Sequence, residues 1–227
     1  MTNSLIDLQN IEFRYPNAQG NTLDIPTLQI HKGEKVFLYG PSGSGKSTFL
    51  EILAGVLVPQ KGHVKILGHD MAQMKSQDRD RFRAGHLGYV FQSFNLIPYL
   101  SVDENITLPL SLSEIRRQRT KQVESEVEHL CLALGIGSLR QRRVTELSVG
   151  QQQRVAVARA LLGGPELILA DEPTSSLDFD HREKFIQLLF KVCEEKGTTV
   201  LFVSHDRSLE KLFTRSVSFH EINRVKV

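Results

Sequence analysis

The chain has 227 residues, 40% of them hydrophobic and 24% charged, with a formal net charge of +2. These proportions are ordinary for a globular protein, and a chain of this length buries roughly 70% of its unfolded surface, which sets aside a disordered or disulfide-stapled scaffold. The charge by itself argues neither for nor against nucleic acid, and no dense basic block stands out, so no direct nucleic-acid partner is expected. The two cysteines, Cys131 and Cys193, lack metal or disulfide spacing and read as reduced thiols of a cytosolic protein. Residues 1–10 carry no basic start followed by an apolar core, and no apolar run approaches the ~20 residues that cross a bilayer. Any work at a membrane is therefore expected from its surface or through a partner.

In chain order, Leu5 to Tyr15 and Leu23 to Ile30 alternate apolar and polar residues, with Pro16-Asn17 and Gly20-Asn21 between them. This is strand patterning with turn punctuation. Lys35 to Tyr39 is a short apolar strand that runs into the glycine-rich Gly40 to Gly45, and Lys46 to Ala54 reads as a helix. Val64 to Leu67 and Leu87 to Phe91 are further strands, the second ending at Gln92. From about Ser101 to Leu162 the pattern is helical, through Glu114 to Leu134 and Gly150 to Leu162. The charged runs Asp78 to Arg83 and Arg116 to Lys121 read as solvated helix faces. After Gly163-Gly164-Pro165 the β/α alternation returns, with strands at Leu167 to Ala170 and Thr198 to Val203 and a helix at His181 to Glu195. The layout is an α/β core with a β-rich N-terminal flank and a helical insert.

Gly40-Pro41-Ser42-Gly43-Ser44-Gly45-Lys46-Ser47 fits the phosphate-loop pattern, and it lies between a strand and a helix as that pattern requires. Glycines let successive N–H groups turn inward toward phosphate oxygens, and the helix N-terminus adds its positive dipole end. Lys46 can reach the β- and γ-phosphates, and the Ser47 hydroxyl can ligate Mg²⁺. Thr48 completes the candidate ATP-binding set. The apolar strand Leu167 to Ala170 ends in Asp171-Glu172-Pro173. Acids at the carboxyl tip of a buried strand lie where open α/β sheets bind ligands. Asp171 can hold Mg²⁺ through water, and Glu172 can orient and deprotonate an attacking water.

Leu147-Ser148-Val149-Gly150-Gln151-Gln152-Gln153-Arg154 resembles the signature motif of the ABC ATPases, usually written LSGGQ, and lies just upstream of the Asp-Glu strand as in that family. Gln92 resembles the glutamine of the Q-loop, which would touch Mg²⁺ and the attacking water. Ser175-Ser176-Leu177-Asp178 resembles the D-loop, His205 the switch histidine, and Tyr15 the aromatic residue that stacks on adenine. The resemblance covers essentially the whole chain. It implies one ATPase domain over 1–227 with a P-loop NTPase core of mostly parallel sheet, made from about 1–92 and 163–227. It also implies an N-terminal antiparallel β subdomain and a helical, signature-bearing subdomain over 93–162. Two such domains would pair head to tail. Each ATP would then lie between one phosphate loop and the partner copy's Ser148, Val149, Gly150 and Gln151, with Asp178 coupling the two sites. Val149 departs from the family's first signature glycine. It keeps the backbone N–H, but its bulk and its reluctance toward positive φ are expected to weaken the trans half of the site.

The stretch Tyr89 to Leu100, followed by Ser101-Val102-Asp103-Glu104-Asn105-Ile106, is similar to the branch serving FtsX-like permeases in lipoprotein release, macrolide export and cell-division signalling. The resemblance implies ATP and Mg²⁺, an integral membrane partner, and a place on the cytoplasmic face of the membrane. Three alternatives stay open: mechanotransmission without cargo, an amino-acid importer, and a non-transport ABC ATPase of DNA or ribosomes.

Overall fold

The structure, a computed structural model, describes residues 4–175, 177 and 179–225, with only the backbone described at 179 and 180. Strands β1 (Ser4–Phe13) and β2 (Leu23–His31) form the antiparallel hairpin expected from their alternation, with Ile11 opposite Ile25 and Leu8 opposite Leu28. Pro26 lies on β2, which among the described residues pairs only with β1. An edge strand is where the missing proline N–H costs no ladder bond. β3 (Lys35–Tyr39) leads through the glycine loop into α1 (Lys46–Leu53). β4 (Lys61–Ile66) and the short β5 (His69–Asp70) complete a four-stranded sheet in the order β2-β1-β4-β5.

α2 (Ser76–His86) precedes β6 (Leu87–Val90). The helical stretch follows as α3 (Val102–Leu112), α4 (Glu114–Arg119), α5 (Val123–Ala133) and α6 (Val149–Leu161). β7 (Leu167–Asp171), α7 (Phe179–Lys196), β8 (Thr199–Ser204), β9 (Arg215–Ser218) and α8 (Phe219–Ile222) close the chain. The second sheet is five-stranded in the order β6-β7-β8-β3-β9, with all its pairings parallel. Its central strands are the continuous apolar runs. Leu167, Ile168, Leu169 and Ala170 are all 0% exposed, as a parallel strand covered on both faces requires.

Period-two alternation divides these strands between two cores. Phe37, Ile168, Ala170, Val200 and Phe202 face the helical layer of α3, α5, α6 and α7. Val36, Leu38, Leu169, Leu201 and Val203 face α1 and the antiparallel sheet. Each fully buried aliphatic side chain stabilises the fold by about 1.5–3 kcal/mol. At Gly88 a Cβ would lie 2.3 Å from Ile168 Cδ1 and 2.5 Å from the Ala160 carbonyl oxygen. Glycine there lets α6 lie directly on β6.

Two expectations need correction. Glu114 to Leu134 is not one helix: α4 ends at Arg119, where the Thr120 hydroxyl donates to the Arg116 carbonyl and the chain restarts at Val123. Nor is Arg116 on a solvated face, being 2% exposed. Its guanidinium donates to the carbonyls of Ala160, Leu162 and Leu87, so it satisfies the open carboxyl end of α6 and ties α4 to the start of β6. Burial lowers its pKa to about 10, so it remains charged at neutral pH. Both cysteines are buried and free. Among the described residues, no helix is long and apolar enough to cross a membrane.

Candidate functional site

Strand register brings four chain segments to one end of the parallel sheet. Tyr39 pairs with Ser204, Asp171 with Val203, and Val90 with Ala170. The residues just beyond these strand ends are Gly40, Glu172, His205 and Gln92. The carboxyl edge of an open parallel sheet is where such folds bind ligands.

In the glycine loop, Gly43 has φ 79° and Gly45, the N-cap of α1, has φ 99°. Only glycine adopts this conformation without strain, and it turns the loop's N–H groups toward its hollow. Pro41, Ser42 and Gly43 are exposed, whereas Ser44, Lys46 and Thr48 are buried. Lys46 Nζ donates to the carbonyls of Gly40 at 2.8 Å and Pro41 at 2.7 Å, and Ser44 Oγ donates to Pro41 at 2.9 Å. Burial lowers the Lys46 pKa, while Glu172 and Asp171 counteract it. Asn223, 4% exposed, anchors the loop from behind, donating to the carbonyls of Thr22 and Ser44 and accepting from the Asp24 N–H.

Ser47 is exposed, and its hydroxyl lies near the Asp171 carboxylate. Burial raises the Asp171 pKa, the Ser47 hydroxyl opposes this, and the neighbouring Glu172 carboxylate adds to the rise. A half-buried carboxylate beside a second carboxylate and a hydroxyl is an oxygen donor set that suits a hard divalent cation. Glu172 has φ 43°, a conformation unusual outside glycine. Its N–H donates to the Val203 carbonyl at 3.0 Å, and its Oε2 lies 2.9 Å from His205 Nδ1. The Glu172 side chain is 15% exposed and that of His205 59%. Gln92 is exposed in the turn after β6. That turn carries Phe94 and Asn95 at positive φ, and the Arg159 guanidinium donates to both their carbonyls, at 2.6 and 2.7 Å.

Tyr15 lies beyond β1, packed edge-on against Phe13, with its hydroxyl 3.1 Å from Thr48 Oγ1. Gln60 holds the preceding residue at both ends, accepting from the Arg14 N–H and donating to the Arg14 carbonyl, each at 2.9 Å. A cleft of about 650 Å³ opens on this ring, lined by Arg14, Tyr15, Asn17 and Gln60 among others.

The signature residues lie elsewhere. Ser148 is the N-cap of α6, and Gln151 closes a capping box with it: Gln151 Oε1 accepts from the Ser148 N–H at 2.9 Å. Val149 is the first helical residue, is 48% exposed and does not have positive φ, so the concern over its backbone falls away and only its bulk remains. Gly150 follows in the first turn. A hollow of about 440 Å³ over Ser148–Gln151 is lined by α6, α7 and Leu177 and includes no residue of the glycine loop. Asp178 and Ser176 lie outside the described residues.

Sequence reasoning missed Gln60, Arg159 and Asn223, whose partners are distant in the chain. It placed Gln153 in the signature stretch but missed its buried contact with Pro173, for which its position among the apolar residues of α6 is the local signal.

A strand, a glycine loop with its lysine, a helix and a facing pair of carboxylates define a P-loop nucleotidase. The family model described as "ABC transporter" matches residues 23–175. The ABC transporter ATP-binding protein YtrE of Bacillus subtilis (strain 168) is 35% identical over 223 residues, covering 96% of this chain and 95% of its own. The macrolide export ATP-binding/permease protein MacB of Photorhabdus laumondii is 37% identical over 206 residues, covering 90% of this chain and 31% of its own. The bacterial ABC transporter cassette MJ0796, solved as a dimer, superposes with TM-score 0.81 at 36% identity, covering 94% of this chain and 93% of its own. Its post-hydrolysis dimer bound to ADP and Pi superposes with TM-score 0.79. The chain belongs to the ABC transporter family, as an ATP-binding and ATP-hydrolysing subunit.

Proposed function

We propose that this chain powers an FtsX-like permease by closing on a second copy of itself around two ATP molecules. The observation that carries the reading is the separation within one chain of two half-sites. One is the glycine loop with Asp171, Glu172, His205 and Gln92; the other is the α6 N-terminus at Ser148–Gln151, whose hollow contains no loop residue. A helix N-terminus offers N–H donors and a positive dipole end to a phosphate. Head-to-tail pairing brings each such end to the partner's nucleotide. The dimeric form of the MJ0796 cassette supports this arrangement.

In the cis half-site, the N–H groups of Gly43 to Ser47 cradle the phosphates, and Lys46 exchanges its loop carbonyls for phosphate oxygens. Thr48 fixes the Tyr15 hydroxyl, so the ring presents a face for adenine. Glu172 takes a proton from water as that water attacks the γ-phosphorus. The bond to ADP breaks and phosphate departs. His205, bonded to Glu172, orients it and donates toward the γ-phosphate. Ser47 and Asp171, with Gln92, would hold Mg²⁺, which supplies charge neutralisation on the phosphate oxygens when bound. In the trans half-site, Ser148, Gly150 and Gln151 contact the partner's γ-phosphate, Val149 adds bulk, and Asp178 couples the two sites across the axis.

The face where segment 93–162 meets α2 and β6 is the surface we assign to partner contact. An apolar groove of about 560 Å³ runs between β6, α2, α3 and α6, past Tyr89, Phe91, Leu108, Pro109 and Leu112. Leu112 is 70% exposed and Tyr99, nearby in sequence, 74%. Exposed apolar surface of this kind marks a protein interface. The MacB relative combines ATP-binding and permease parts in one protein. This favours a membrane permease as occupant, with the chain on the cytoplasmic face.

The test uses the Glu172→Gln variant. It is expected to bind ATP, to sediment as a dimer only with ATP, and to hydrolyse at least 100-fold more slowly, in the range for loss of a general base. Extraction from membranes in ATP should recover a permease with a large domain outside the membrane. Hydrolysis at the wild-type rate would remove Glu172 from the base role. Recovery of only soluble ribosomal or DNA-bound proteins would overturn the transport reading.

A further inference from the structure

Gln153 is one of the few polar side chains in the helical core and is 1% exposed. Its Nε2 donates to the Pro173 carbonyl at 2.6 Å. Its Oε1 is buried and accepts no hydrogen bond from the described residues. A half-satisfied amide in a core calls for an explanation beyond packing.

Pro173 directly follows Glu172, whose φ of 43° is disfavoured for a residue with a side chain. Such backbone persists only where its surroundings over-determine it. On one side, the Glu172 N–H is held by Val203, and its carbonyl receives the Ser175 N–H at 3.1 Å. On the other, the Pro173 carbonyl is held by Gln153 alone among the described residues. That constraint comes from another layer of the molecule. Gln153 lies on α6 five positions after Ser148, under one and a half helical turns from the signature end. A single amide therefore joins the helix that faces a partner's nucleotide to the strained peptide that aims Glu172. The link from Gln153 to Pro173 is one directional bond. A displacement of α6 by about 1 Å would stretch it beyond hydrogen-bonding range.

We propose that Gln153 is a positioning residue for hydrolysis. It holds the Pro173 carbonyl so that Glu172 points at the attacking water, and it relays the placement of α6 on the second copy's nucleotide to that carboxylate. The relay rests on the two-copy reading given above.

The full chain is tested with two substitutions. Gln153→Met keeps the volume and removes the donor. Its ATP affinity, read with a fluorescent ATP analogue, and its ATP-dependent dimerisation, read in the Glu172→Gln background, are expected to stay within about twofold of the parent. Its kcat is expected to fall at least tenfold with KM little changed. Gln153→Glu sets a carboxylate oxygen against the Pro173 carbonyl at pH 8, and its kcat is expected to fall by a similar factor. Near pH 6 the protonated acid donates again, and kcat relative to wild type is expected to recover at least threefold. Among the described residues, Glu172, His205, Arg154 and His181 are titratable or charged groups around this contact; they are present in both proteins, so the ratio removes their own titration to first order. A Gln153→Met enzyme with wild-type kcat, or a Gln153→Glu ratio flat with pH, would overturn the proposal. If Gln153→Met fails to fold, the Gln153→Glu pH ratio decides it. Absence of an ATP-dependent dimer in Glu172→Gln alone would overturn the two-copy reading and the relay with it. The pH ratio reports on Pro173 positioning in either case.

Discussion

Asn105 holds the segment that joins Gln92 to the helical layer, and its removal gives a number that can be worked from single bonds. The side chain is 0% exposed. Its Oδ1 accepts from the Ile97 N–H at 2.8 Å, and its Nδ2 donates to the carbonyls of Ile97, Leu100 and Ser101 at 3.1, 3.4 and 3.0 Å. Each carbonyl keeps a second donor: the N–H of Leu100, Val144 and Asn105 respectively. Only the Ile97 N–H is left without a partner in Asn105→Ala. An orphaned buried donor costs about 1–3 kcal/mol, and losing the bonds to shared acceptors adds several tenths each. The expected loss is about 3 kcal/mol, or roughly 6–12 °C in Tm for a chain of this size. The protein has no tryptophan, so urea unfolding is best followed by far-UV circular dichroism. Asn105→Asp refines the test. It keeps the acceptor for Ile97 but turns a charged oxygen toward three carbonyls. This raises the carboxyl pKa in the folded state. A raised acid pKa costs stability once pH exceeds the unfolded value of about 3.9, and the loss grows toward the folded value. The variant should therefore fall further below wild type at pH 8 than at pH 5. A loss under 1 kcal/mol for Asn105→Ala, or a pH-independent difference for Asn105→Asp, would refute the bond accounting.

Glu166 offers a second pH test. Burial alone would raise its pKa, but hydrogen bonds from His86 and Arg119 hold it down at about 2. A depressed carboxylate contributes its full stability above about pH 4.5 and loses it as pH falls through about 2. Glu166→Gln should cost on the order of 2 kcal/mol at pH 7, discounted for the partly exposed Arg119. In paired urea melts the gap to wild type should shrink by about half or more between pH 6 and pH 3; a constant gap would count against the ion pair. Val149→Gly should cost at most about 1 kcal/mol in stability, the helix penalty for glycine. In the Glu172→Gln background it should tighten the ATP-dependent dimer several-fold by light scattering. A weaker dimer would mean that the valine side chain packs productively against the second copy.

What the sequence disclosed was local. Strand, glycine loop and helix follow one another without a break, and Asp171-Glu172 ends an uninterrupted apolar run, so both were legible from spacing. The first turn of α6 was also legible in principle. Ser148 and Gln151 stand three apart, as a capping box requires, and that predicts Val149 as a helical residue with ordinary negative φ. The glycine comparison obscured this. Arg116 was misread because a charged run looks the same whether its arginine faces water or the carbonyls of Ala160, Leu162 and Leu87. Those partners come from other elements and could not be paired with it in advance. The break between α4 and α5 carries no proline or glycine at 120–122, only the Thr120 hydroxyl turned back on its own helix.

The placement of β3 has a consequence for how this protein is made. Among the described residues, the strand that carries the glycine loop forms its ladders with β8 and β9, Lys35 with Val200 and Val36 with Arg215. Asn223, later still, fastens the loop itself. As the chain leaves the ribosome, the apolar stretch Val36 to Leu38 waits for neighbours that emerge most of the chain later. Long-range parallel pairing of this kind is slow, and the waiting strand is open to aggregation. The glycine loop is thus anchored on strands made long after it, and its grip on nucleotide during synthesis depends on the docking of β8 and β9.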